Sequence, residues 1–359
     1  MSVKQRVEAS DTPSHESVTI LLPVLNELQR LAGCLETLIA QPREVREILV
    51  IDGGSSDGTQ ALVDGFAMRD GRVRLVDASP VDPEWTGKAW GLHRGLQQSA
   101  SQSDWILCID ADVRAAPQLV RSLLAHARRT SIDNFSVATL QHLSGWIDGL
   151  LHPAMLTTLI YRFGSPGAAT RDRHKVHANG QCFFSRRETL LRTGAFYAAR
   201  RSLCEDITIV RRLAECGEAV GFYESDYLIT VKMYAHWRET WNNWPRSLPM
   251  RDHYFAGREA LGLIALLPLQ ALPLPTFVLG AFIGAPLWLL LLAGALFSIR
   301  LGVLFGTARA YPGRPWSYWL SPLCDLPVVL RVLYNALKRQ HRWRGRTYVR
   351  RRGGTFEPL

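Results

Sequence analysis

Two carboxylates stand one residue apart at Asp110-Ala111-Asp112, directly after the apolar run Trp105–Ile109. A short apolar run closed by polar residues predicts a buried strand. Two unpaired carboxylates at its end would carry a heavy desolvation cost. A divalent cation removes that cost, because hard cations prefer carboxylate oxygen and Mg²⁺ held by one or two carboxylates keeps positions for substrate phosphates. The plainer alternative is an acidic loop ahead of a helix near Pro117. A second acidic pair, Glu205-Asp206, opens an amphipathic segment in which Ile209, Leu213 and Cys216 share a face and Arg211 and Arg212 fall among the exposed positions. Acids in a first helical turn also offset the macrodipole, so this pair has a structural reading as well.

The elements that must position these residues are legible in the same way. The apolar runs 17–23, 47–51 and 73–76 predict three more strands. Leu28, Leu31, Leu35 and Leu38 recur at helical spacing after the first, and helical stretches follow near 57–68 and 87–100. Strands alternating with helices imply a parallel sheet covered on both faces, with ligands beyond the carboxyl ends of the strands. Asn26, Asp52, Asp110 and Asp112 all fall at those ends. A dinucleotide-binding reading fails, since no glycine follows the first strand until Gly33, and the Gly53-Gly54 pair is flanked by Asp52 and Asp57.

Taken together, segments 18–27, 50–59, 85–92, 104–112 and 204–217 resemble family 2 glycosyltransferases, whose fold is the Rossmann-like GT-A nucleotide-sugar-binding domain. The resemblance covers roughly 17–250, with the motifs in the family's order. Pro83-Glu84-Trp85-Thr86-Gly87-Lys88-Ala89-Trp90 and Asn179-Gly180-Gln181 are most similar to members acting on lipid acceptors, the hopanoid-associated, carotenoid and ceramide glycosyltransferases.

The resemblance implies roles. Asp110 and Asp112 would hold Mg²⁺ or Mn²⁺ against the diphosphate of a donor such as a UDP-hexose. Asp52 would bind the nucleotide base, although Gly53 stands where the family often has a second Asp. Lys88 would approach the donor, its alternative being a solvated lysine at a helix start. Pro23, Asn26, Glu27, Ala111 and Gln181 join the donor-binding set. Asp206, beside Glu205, would be the catalytic base, and burial or a neighbouring carboxylate would have to raise its pKa against the helix start. The usual Gln/Arg-x-x-Arg-Trp motif is absent. Trp244 and Arg246 would border the donor or acceptor, or else belong with Trp237, Trp241, Arg238 and Arg251 to a membrane-interface belt.

The 359 residues divide into a loose polar tail (1–16) without a secretory signal, a GT-A domain (17–257), a membrane-associated helical region (258–337) and a basic tail (338–359). Six scattered cysteines suit a reducing compartment. Residues 260–299 contain no charge, enough for two spans or a hairpin, broken by Pro268, Pro273 and Pro275. Segment 316–337 contains Asp325 and Arg331 and suits an interfacial helix better. Segment 145–163 reads as an acceptor entry or as a plain core helix, and the basic loop 171–177 after it could meet phosphate.

The net charge is +10, and the tail supplies Lys338, Arg339, Arg342, Arg344, Arg346, Arg350, Arg351 and Arg352. Beside apolar segments such a tail favours an anionic leaflet over nucleic acid and places tail and catalytic domain on the cytoplasmic face. The expected activity is inverting transfer of a hexose to a hydroxyl of a carotenoid, hopanoid or sphingolipid-like acceptor. Transfer to a polyprenyl phosphate is the enzymatic alternative, and an inactive membrane scaffold with a transferase fold is the non-enzymatic one.

Overall fold

Strand Trp105–Ile109 lies inside a nine-stranded mixed sheet in the computed structural model, which describes residues 5–343 and 346–359. Val18–Val24 pairs in parallel with it on one side and with Val45–Asp52 on the other, and Val73–Asp77 follows in parallel. On its other flank Cys182–Arg186 runs antiparallel, between Trp105–Ile109 and Asn134–Val137, and Val220–Ser225 lies beyond. Cys182 is paired with Ile109, so the antiparallel strand begins at the edge where its neighbours end. That register carries Asn179, Gly180 and Gln181 to the edge that holds Asp110 and Asp112.

Alternation along each strand sends side chains to two separate cores. Leu21, Leu49, Ile51, Ile106 and Cys108 face helices Gly87–Gln98, Trp146–Phe163 and Glu205–Glu215. Ile20, Leu22, Ile48, Val50, Leu107 and Ile109 face helices Leu28–Ile39, Thr59–Arg69 and Leu119–Thr130. Cover on both faces is why the strands read as unbroken apolar runs. Gly95 lets helix Gly87–Gln98 lie close on the sheet, since a Cβ there would stand 2.9 Å from Ile51 Cδ1.

Three expectations need correction. The N-terminal segment is not loose over its described part. Arg6–Val7 pairs in parallel with Glu224–Ser225, Val7 is fully buried, and the Ser10 amide donates to Ser122 Oγ at 2.9 Å. Arg211 is not exposed. It is fully buried in an ion pair with Asp252 at 2.6 Å, a partner 41 residues away that helical spacing could not indicate. The basic tail is a folded antiparallel sheet of Gln340–Trp343, Arg346–Arg350 and Phe356–Pro358, and Arg344 lies outside the described residues.

The apolar region forms helix Gly257–Leu266, a π turn, helix Pro273–Ile283 and helix Leu287–Thr307, with a left-handed Gly284 between the last two. The last helix continues past the uncharged run because Arg300 has a buried partner. Its guanidinium lies 2.7 Å from Asp325, which also accepts from Gln270 at 2.8 Å. The carboxylate that argued against a span in 316–337 is therefore neutralised, and the segment Trp316–Leu337 is long and apolar enough to cross a membrane, as is Leu287–Ala310. Helices Gly257–Ala271 and Pro273–Ile283 form a pair bent by 45°. Helix Trp146–Phe163 packs against Trp316–Cys324 and Asp325–Leu337, joining the sheet domain to the apolar helices.

Candidate functional site

Lys88 is the hub of the site. It sits in the first turn of Gly87–Gln98 and bridges Asp110 at 2.8 Å and Glu205 at 2.7 Å. Burial opposes its charge most strongly, but the Asp110 and Glu205 carboxylates outweigh it and hold the ammonium pKa well above the ordinary lysine value. The two acidic motifs, far apart in sequence, are thus tied through one cation. Glu205 has an ion-pair role that its place at a helix start does not require.

Asp206 leads into the adjoining small cavity, which Lys88, Asp110, Gly180 and Glu205 also line. Its carboxylate accepts from the Ile207 amide at 2.8 Å and the Gly180 amide at 3.1 Å. Burial, and then the Glu205 carboxylate, push its pKa up to about 7 against Lys88 and those two amides. The opposition expected from the helix start is overcome by that burial. Gly180 leaves little room, because a Cβ there would stand 3.1 Å from Lys88 Nζ and 3.5 Å from Asp206 Oδ2.

Asp112 is raised to about 7 by burial and by Asp110, with Arg30 opposing. Its Oδ1 is buried without a hydrogen-bond partner. An orphaned carboxylate oxygen beside a second carboxylate fits a hard divalent cation. No group of three or more His, Cys, Asp or Glu that could hold a metal occurs among the described residues. Asp110 and Asp112 would therefore supply only part of a coordination shell and leave the rest to substrate oxygens and water.

A pocket of about 190 Å³ opens beside this cluster, lined by Pro23, Glu27, Lys88, Asp110, Ala111, Asp112 and Gln181. Gln181 is buried, its Oε1 accepting from Thr139 Oγ1 at 2.8 Å and from Asn179 Nδ2 at 3.2 Å. Four expected residues are not in the lining. Asp52 is fully buried, and its carboxylate is occupied by the Gly54 and Ser55 amides, the Ser55 hydroxyl and Gln60 Nε2. It organises the loop that places Gly53 in the wall. Asn26 has a left-handed backbone (φ 53°) and accepts from the Ser56 amide at 2.9 Å, so it ties the two strand-end loops together.

The Trp244 and His152 rings meet at a tilt, centroids 4.0 Å apart, and Arg246 donates to the Arg342 carbonyl at 3.1 Å. Both tie helix Trp237–Ser247 to neighbouring elements, and neither lines the pocket. The pocket instead includes Arg30, Met233, Tyr234, Arg346 and Tyr348. Arg30 had a signal in the sequence, being on the helix that follows Glu27. The others lie far along the chain in segments with no motif.

Comparison with known proteins accords with this geometry. Residues 19–194 match the model for Glycosyl transferase family 2. The chain is 24% identical over 228 residues to a 4,4'-diaponeurosporenoate glycosyltransferase of Staphylococcus aureus, covering 62% of this chain and 57% of that one. It is 25% identical over 118 residues to the glycosyltransferase GlyG of Streptococcus pneumoniae, covering 33% of this chain and 37% of that one. The chain thus spans less than two thirds of either relative. A solved mannosyltransferase of Pyrobaculum calidifontis, in complex with GDP-Man and Mn²⁺, superposes with a TM-score of 0.55 over 91% of this chain and 90% of that one at 17% identity, which indicates a shared fold. The parallel strand edge and the matched segment 19–194 together place this part of the chain in Glycosyl transferase family 2, on a GT-A fold.

Proposed function

We propose that this protein transfers a hexose from a nucleotide sugar to a hydroxyl of a membrane lipid, with inversion at the anomeric carbon. The observation that carries the reading is Asp206, a carboxylate with a pKa near 7 joined through the Lys88 bridge to the Asp110–Asp112 edge. A group with that pKa is about half ionised at neutral pH and basic enough to accept a hydroxyl proton. Lys88 keeps donor and base motifs in register, and the Gly180 and Ile207 amides fix the Asp206 carboxylate. A divalent cation held by Asp110 and Asp112 would neutralise charge on the nucleoside diphosphate leaving group. The Mn²⁺ of the Pyrobaculum mannosyltransferase and the carotenoid glycosyltransferase from Staphylococcus aureus support metal, donor class and lipid acceptor.

The apolar helices favour a membrane location. Leu261, Ile264, Phe282, Ile283, Leu287, Trp288 and Leu291 are exposed, a surface that water alone would not favour. The number of crossings is even on this reading. The Phe356 amide donates to the Arg201 carbonyl at 2.8 Å, so the chain that leaves the catalytic domain at Gly257 has returned to the same side. Three crossings would separate the two. Lys338, Arg339, Arg342, Arg351 and Arg352 remain exposed to meet an anionic cytoplasmic leaflet.

The test is mass spectrometry of membrane lipids incubated with the detergent-extracted protein, Mn²⁺ and UDP-hexose or GDP-mannose. A lipid gaining one hexose with wild type and about 10²–10⁴-fold less with Asp206→Asn is expected. Undiminished transfer by Asp206→Asn would remove the base from the reading.

A further inference from the structure

The far end of the chain closes the wall of the donor pocket. Arg346 and Tyr348 are two apart on strand Arg346–Arg350 and therefore share a face, and both line the pocket with Asp110 and Asp112. The sheet that carries them is fixed to the catalytic domain. Glu357 pairs with Arg201 at 3.4 Å, four residues before Glu205, and Arg350 and Arg251 both donate to the Ala336 carbonyl, at 2.6 and 2.9 Å. Tyr348 is buried at 1% exposure, so the face is packed in place.

The charges of the pocket give this strand a task. Lys88 is committed to Asp110 and Glu205, and Arg30 lies 3.8 Å from Glu239. Arg346 makes no ion pair with any carboxylate among the described residues. Its guanidinium reaches the start of helix Gly87–Gln98, where a methyl group on Gly87 would stand 3.8 Å from Nη1. A guanidinium beside a helix N-terminus, in a pocket edged by the two aspartates, is a site for phosphate oxygens.

We propose that Arg346 binds the diphosphate of the nucleotide-sugar donor, so that the C-terminal sheet is part of the donor site. This rests on the transferase reading above. As the bond from the anomeric carbon to the diphosphate breaks, its electron pair passes to the diphosphate oxygen, and Arg346 is placed to meet that charge. The basic tail then has two roles divided by position, with Arg346 on the strand against the donor and Arg351 and Arg352 exposed beyond its end, ahead of Phe356.

The experiment measures binding of UDP, GDP, uridine and guanosine to the full chain in detergent with Mn²⁺, by titration calorimetry, for wild type, Arg346→Gln, Arg346→Lys and Arg352→Gln. Arg346→Gln should weaken the bound nucleoside diphosphate about 10-fold or more, the scale of a hydrogen bond to a charged group. Nucleoside affinity should not change, Arg346→Lys should recover part of the loss, and Arg352→Gln should match wild type. Equal diphosphate binding by wild type and Arg346→Gln would overturn the inference and leave the transferase reading standing. So would parallel losses for diphosphate and nucleoside, which would mark a structural role. Wild type that binds neither diphosphate would overturn the transferase reading itself, and this inference with it.

Discussion

On the proposed reading of Asp206 as the base, its raised pKa sets an expected pH dependence of activity. The base form is the ionised carboxylate, so kcat/KM should climb as pH rises toward about 7 and level off above it. At pH 5, two units below the midpoint, about one carboxylate in a hundred is ionised, and kcat/KM should be about 100-fold below its plateau. An ordinary aspartate would give a flat profile over pH 5–8. Asp112 also titrates near 7, but protons and metal compete for it. Its contribution must move to lower pH as Mn²⁺ is raised, whereas that of Asp206 must stay.

Glu205 is the neighbouring charge that raises Asp206 most, so Glu205→Gln should move the metal-independent midpoint downward. Stability runs the opposite way with pH. A carboxyl whose folded pKa lies above its unfolded value favours the folded state most below about pH 4, and that advantage is lost as pH rises through about 7. Asp206→Asn should therefore melt higher than wild type at pH 8 and gain nothing at pH 4. The assay is donor-dependent kcat/KM over pH 5–8.5 at two Mn²⁺ concentrations, with melting curves alongside. A flat profile, or a midpoint that follows the metal, would refute the reasoning.

Two further outcomes follow from buried charge. Asp112→Asn should abolish Mn²⁺-dependent binding of UDP or GDP while leaving the metal-free melting temperature at pH 8 unchanged or raised, because a buried oxygen without a partner no longer carries charge; calorimetry and melting curves check both, and unchanged Mn²⁺ dependence would contradict it. Asp252→Ala leaves the Arg211 guanidinium buried without its carboxylate and should cost about 3–5 kcal/mol in denaturant unfolding of the detergent-extracted chain. A loss under about 1 kcal/mol would mean that the pair is solvated.

The sheet edge was legible because its signals are local. Strand Trp105–Ile109 lies within its own apolar run, and Asp110 and Asp112 follow it directly. Asp206 was legible as an acid at a helix start, and the family resemblance supplied its role. The cause of its pKa was only half visible, since Glu205 is adjacent in sequence but the burial depends on Gly180 and Lys88 arriving from elsewhere. Asp52 shows the opposite case. Its motif pointed to a ligand, yet the glycines and serines beside it supply enough donors to fill the carboxylate within the loop. A strand-end aspartate followed by small polar residues serves the loop before it serves a substrate.

The C-terminal sheet was illegible for a different reason. Charge density is additive along a segment, and eight basic residues without an acid among them in 338–352 read as one object, a tail for an anionic surface. Strand pairing divides that object, because successive side chains take opposite faces and a single register decides which arginines turn inward. The register here is set by contacts no window of sequence contains, Phe356 on Arg201 and Arg350 on Ala336. Those contacts also bear on topology. On the proposed membrane reading, a segment hydrogen-bonded four residues from the Glu205-Asp206 motif shares its side, so the folding of the tail bears on the number of crossings more directly than the hydropathy of the helices between them. On the proposed membrane reading, the sheet whose strand Phe356–Pro358 argues for an even count also carries Arg346, on the neighbouring strand Arg346–Arg350, against the donor pocket.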